Sequence, residues 1–136
     1  MSREESGFTL VELLVVMLIL GILIAAAVPT FFSQKQKAND ADSKAMAHTA
    51  ETAIETYAID HRGSYVGADL AALQSVENTV DGTISFVGAP TATDYHLRST
   101  NPVTSHTFDV VRTGGTFAYP CAPADTGGCA AGGWGG

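Results

Sequence analysis

At 136 residues the chain has one domain's worth of length, and a long N-terminal helix would leave a globular part so small that a core alone is marginal. Its formal charge of −7 repels phosphates, and it lacks the basic stripe that binding to DNA or RNA requires, so direct nucleic-acid binding is not expected. No nucleophile motif, phosphate loop or paired-histidine metal helix occurs, which argues against an enzyme and implies no cofactor.

In chain order, the first element is an apolar run from Phe8 to Val28, which begins directly after Gly7 and is interrupted by a single charge, Glu12. As a helix it would be about 32 Å long, close to the roughly 30 Å of bilayer hydrocarbon. A carboxylate at that depth costs roughly 2.5–3.5 kcal/mol and marks a site that a partner neutralises. A rival reading takes Leu13–Ile24 as the core of a secretory signal cut near Ala25-Ala26-Ala27. The residues ahead of that core, with one arginine and three glutamates, lack the positive start such a signal has.

Gly7-Phe8-Thr9-Leu10-Val11-Glu12, the apolar run to Gly21 and the closing Pro29 strongly resemble the processing and assembly segment of type IV pilins. The resemblance implies that residues 1–7 are a leader, that a prepilin peptidase cuts between Gly7 and Phe8, and that Phe8 is then N-methylated. It makes Thr9 and Glu12 the assembly residues, with Glu12 meeting the new α-amine of a neighbouring subunit. It also implies a single-pass precursor in the bacterial inner membrane that is added to an extracellular filament. The implied partners are other copies of the chain, minor pilins, an inner-membrane platform protein and cytoplasmic ATPases. A pseudopilin of a type II secretion system shares this segment, and a membrane-anchored secreted domain is a third possibility.

Residues 8–29 thus form a membrane-spanning, filament-core helix in which Gly21 offers a small contact. Pro29 cannot bond the carbonyl of Ala25, which loosens or kinks the helix without ending it. Residues 30–61 continue it amphipathically. Ser33, Lys37, Asp40, Lys44, His48, Glu51 and Glu55 make a polar stripe; Met46, Ala50, Ala53, Ile54 and Tyr57 make an apolar one. One helix from Phe8 to about Asp60 is predicted, ended by Arg62-Gly63-Ser64.

Residues 62–136 read as the globular region. A short helix is predicted over Asp69–Gln74, with Asp69 a possible cap. Alternation at Ile84/Phe86, Tyr95/Leu97, Phe108/Val110 and Phe117/Tyr119 predicts an antiparallel meander with one buried face, laid against the helix's apolar stripe. The fold class is therefore α+β: a long N-terminal helix packed on a small antiparallel sheet, as in type IV pilins.

Cys121 and Cys129 read as a disulfide closing the C-terminal tail of an exported chain; with no histidine nearby they fall short of a zinc ligand set. Beyond that loop the glycine-rich tail is predicted to have no regular structure, and Trp134 either docks or belongs to a disordered end. His48, Glu51 and Glu55 could bind a metal but more simply form solvated pairs. His96 and His106 fall on neighbouring strands, where cross-strand packing outweighs metal binding. The aromatics Phe8, Phe31, Phe32, Tyr57 and Tyr65 admit electron transfer along a filament, yet serve equally as packing groups.

Overall fold

The computed structural model describes residues 7–135; most of the expected leader, residues 1–6, lies outside them. The elements are α1 (Leu10–Asp60), α2 (Leu70–Val76), β1 (Ile84–Phe86), β2 (Tyr95–Thr100), β3 (Thr107–Thr113), β4 (Thr116–Ala118) and β5 (Cys121–Ala122). They fall into two units, one ending at Gln34 and one beginning at Lys35.

α1 begins with a reciprocal cap. The Thr9 amide donates to Glu12 Oε2 at 3.0 Å and the Glu12 amide donates to Thr9 Oγ1 at 3.2 Å, so two backbone donors that a helix start leaves orphaned are satisfied. The helix continues through Pro29. It stops where Arg62 and Gly63 turn left-handed, at φ 60° and 82°, and the Gly63 amide closes the last turn on the carbonyl of Ala58 at 2.7 Å. Asp69 caps α2 through the amide of Ala72 at 2.8 Å.

The sheet is an antiparallel meander, β1-β2-β3-β4, as the alternation predicts. β2 presents Tyr95, Leu97 and Ser99 to the interior and is paired with β3 from Tyr95–Arg112 to Thr100–Thr107. The buried face of α1, with Ala47, Ala50, Ala53, Ile54, Tyr57 and Ala58, packs in one core with Leu73, Val80, Ile84, Leu97 and Val110. The apolar stripe is thus the core stripe; Met46 is at its margin, partly buried.

Three expectations change. Phe117 and Tyr119 do not both fill a buried face. β4 is a three-residue edge strand exposed throughout, and Phe117 lies on the outside beneath the Arg112 guanidinium, 5.4 Å from its ring centre. Tyr119 lies beyond the strand. The tail is not irregular either. β5 pairs with β3 at Thr107 and Phe108 on the edge that β4 also uses, and short bridges join Thr126 to Cys129 and Ala130 to Gly133. Trp134 docks: its ring meets Tyr119 and Phe108 edge-on, and Nε1 donates to the carbonyl of Asp109 at 2.9 Å. Last, only one of the two histidines lies on a strand. His106 precedes β3 and turns to α1, while His96, opposite Val111, packs across strands as expected and bonds Asp109.

Candidate functional site

The N-terminal unit is built to be covered by something else. Its apolar helix is long enough to cross a membrane and none of that stretch is buried within the chain. Phe8 is 93% exposed, and every large apolar side chain from Leu10 to Ile24 is exposed. A methyl group added at Gly7 or Gly21 would meet nothing within 4 Å. The chain's own packing therefore does not require glycine at either place; any such requirement comes from an enzyme or a neighbour. Thr9 and Glu12 are brought together by the cap. In this geometry the Glu12 carboxylate is already bonded at the very start of α1, where the helix dipole favours negative charge, to the amide of Thr9, the residue after Phe8.

The second unit is fastened by four carboxylates, Asp40, Glu51, Glu55 and Asp109. Asp40, fully buried, accepts four bonds: from Asn101 Nδ2 (3.2 Å) and Thr104 Oγ1 (2.7 Å) on Oδ1, and from the Gly128 amide (2.8 Å) and His106 Nδ1 (2.7 Å) on Oδ2. One helix residue thus holds the β2–β3 loop and the tail. Burial pushes its acidity down, but the bonds from Gly128, His106 and Thr104 outweigh that and keep the carboxyl below its ordinary range. Gly127 approaches so closely that a Cβ there would collide with Asp40 and His106, and its φ is +57°; no other residue type fits that corner of the tail.

Glu55 accepts from the hydroxyls of Tyr65 (2.9 Å) and Tyr95 (2.9 Å) and from Arg112 (3.0 Å), while Glu51 accepts from Tyr119 (2.9 Å) and pairs with His48 (3.1 Å). Burial and the neighbouring Glu55 drive the Tyr95 hydroxyl far above its usual range, so it remains a donor. Asp109 on β3 takes a forked bond from Arg98 (2.9 and 2.7 Å) and one from His96 (2.7 Å). Burial raises its pKa, and the Arg98 and His96 bonds more than reverse that, leaving it lowered.

Of the residues singled out from the sequence, Cys121 and Cys129 are joined, with Cα atoms 5.6 Å apart. His48, Glu51 and Glu55 are not a solvated row. The two glutamates are partly buried anchors for the sheet. Among the described residues no three His, Cys, Asp or Glu side chains are placed to hold a metal ion. Sequence reasoning missed Asp40, Asn101, Thr104 and His106. A signal existed: stepping back from Ile54 through Ala50, Ala47 and Ser43 reaches Asp40, so this aspartate lies in phase with the buried face.

Residues 2–28 match the prokaryotic N-terminal methylation motif. The competence protein ComGC of Streptococcus pneumoniae is 35% identical over 95 residues, covering 70% of this chain and 81% of that protein. The type IV wide pilus major component PilA4 of Thermus thermophilus is 36% identical over 64% of this chain and 67% of its own length. The type II secretion system core protein G of Aeromonas hydrophila is 39% identical over 44% of this chain and 42% of its own. The chain spans about half the length of several other curated relatives it matches. No solved structure matches.

Proposed function

Because the chain belongs to the type IV pilin family and is a structural subunit rather than an enzyme, we propose that it is stored in the membrane by its N-terminal helix and polymerises through that helix into a surface pilus. The observation that carries this reading is the Gly7–Glu12 segment. It combines a glycine the fold does not need, an exposed Phe8, and a carboxylate at the third position of a bare apolar helix. A prepilin peptidase would cut after Gly7 and methylate Phe8. The freed α-amine, cationic near neutral pH, would meet Glu12 of an adjacent subunit as both charges enter the dry filament core. Leaving one of them unpaired there would cost about 3–5 kcal/mol, so the pair acts as a register check, while burial of the apolar helix supplies the affinity. Gly21 would admit close helix contact, and Pro29 would supply the flexibility with which a helix adapts to its neighbours. The contact is head-to-tail and does not close, which yields a fibre. Platform protein, minor pilins and motor ATPases would be the remaining partners.

Assembly into a pilus is favoured over a secretion pseudopilus by how far the likeness extends. It runs on to 89 residues with the wide-pilus component, but stops at 60 with the secretion protein. The test is electron microscopy of sheared surface filaments with intact-mass analysis of their subunit. A subunit starting at N-methylated Phe8 supports the proposal. A chain cut near Val28, or filaments lacking this subunit, overturns it.

A further inference from the structure

The helix α1 changes character just past its apolar run. From Val28 to Asn39 the charged residues are Lys35 and Lys37 alone, preceded by Phe31 and Phe32. Residues 31–38 are helical and all exposed, and the two phenylalanine rings meet edge-on at 6.1 Å. None of the ion pairs formed by the described residues involves either lysine.

Helical periodicity gives this collar its meaning. Lys35 and Lys37 are two residues apart and so point to opposite sides of the helix, as do Phe31 and Phe32 to a lesser degree. Before assembly, a single docked protein takes one face of a helix and would find half of the collar. A bilayer interface surrounds the helix and meets all of it. The depth agrees: Lys35 is seven residues beyond Val28, about 10 Å along the axis, and its flexible stem can bend back toward the headgroups while keeping the ammonium wet. Aromatic rings nearer the hydrocarbon and cations further out are the order the interface favours.

We infer that Phe31, Phe32, Lys35 and Lys37 form a lipid-headgroup collar in which the two lysines bind the phosphates of anionic lipid before the subunit enters a filament. The inference rests on the membrane-stored state proposed above, and adds a stated lipid chemistry to it. Extraction then requires releasing these phosphates as well as the apolar helix, so lipid charge sets how readily a stored subunit leaves the bilayer.

The test uses the full chain reconstituted in vesicles of phosphatidylcholine alone or with one part in three phosphatidylglycerol. A membrane-impermeant amine reagent is followed by peptide mass analysis, with Lys44 as the internal reference. Lys35 and Lys37 should label about fivefold more slowly in the anionic vesicles, the factor that corresponds to one lysine near an anionic surface, and high salt should abolish the difference. Equal labelling in the two vesicles overturns the collar. Protease access to Leu13–Ile24 reports separately on insertion, and cleavage there would defeat the membrane-stored reading itself. As a second measurement, native mass spectrometry from a detergent containing both lipids should show phosphatidylglycerol retained on the wild type and lost from Lys35→Gln/Lys37→Gln. Retention by the variant also overturns the proposal.

Discussion

Asp40→Asn is the substitution that most directly tests how the globular unit is fastened. The change is isosteric, yet it replaces a two-oxygen acceptor by one oxygen and one NH₂ group. Retaining the oxygen toward Asn101 and Thr104 turns the new NH₂ onto the Gly128 amide, a donor now facing a donor at the site of a 2.8 Å bond. His106 can present an unprotonated Nδ1 to the amide; the Gly128 N–H has no such choice. An orphaned buried donor costs about 1–3 kcal/mol, and bonds to a charged acceptor contribute more than neutral ones, so the total loss is about 2–4 kcal/mol. For a unit of this size that lowers the melting temperature by at least about 10 °C. Trp134, the single tryptophan, reports on the tail directly through its fluorescence. The pH dependence supplies a second check. Asp40 has a lowered pKa in the fold, so its contribution is complete above the ordinary carboxylate value, near pH 4, and disappears as pH falls through the lowered folded value. The gap between wild type and Asp40→Asn should narrow as pH falls below about 4. A loss under about 3 °C, unchanged with pH, would show that the four bonds do not hold the unit together.

The native chain should show no free thiol without reduction, and Cys121→Ser/Cys129→Ser should cost about 2–3 kcal/mol by freeing a short loop in the unfolded state; an unchanged Trp134 melting curve would refute this. Gly7→Val should leave uncut precursor in the membrane while the globular unit melts as wild type, since among the described residues a Cβ at that position meets nothing within 4 Å; efficient processing of this variant would count against the cleavage site. Glu12→Ala should remain stable and inserted yet give few filaments. Glu12→Gln separates the two duties of that side chain: it keeps a capping acceptor but not the charge, and normal piliation by it would rule out pairing with the α-amine.

The fold was largely legible because its signals are periodic. The apolar run from Phe8 to Val28, broken only at Thr9 and Glu12, a 3.6-residue stripe ending at Tyr57 and alternation in β2 and β3 each report on a single element, and each element formed where its pattern stands. What stayed hidden depends on distant partners. Glu55 carries the same sequence signal as any exposed acid on a helix, and only the arrival of Tyr65 and Tyr95 distinguishes it; Asp40 lies in phase with the buried face, but nothing local shows that Thr104 and His106 will meet it there. The tail misled for a related reason. Glycine is read as disorder, but Gly127 and Gly128 are small because Asp40, His106 and Lys44 lie where a side chain would go. The disulfide was visible as a pair of cysteines; that the loop it closes delivers an amide to a buried carboxylate was not.

The cap at Thr9 and Glu12 bears on how a charge can wait inside a bilayer. Glu12 is already bonded to the Thr9 amide at the helix N-terminus, so its carboxylate is partly neutralised by the same turn that begins the helix. In the proposed filament, a neighbour's amine would compete with an existing bond rather than rescue a bare ion. The net gain from pairing is correspondingly smaller than the cost of a lone charge in hydrocarbon. Such a contact discriminates a correctly registered neighbour from a misplaced one without holding the wrong neighbour tightly. It also places two duties on one side chain: position 12 caps the first turn of the helix and, in the proposed filament, would supply the anion for the subunit to be added. Aspartate meets the second but reaches the Thr9 amide less well, so its chain is one methylene too short for the first.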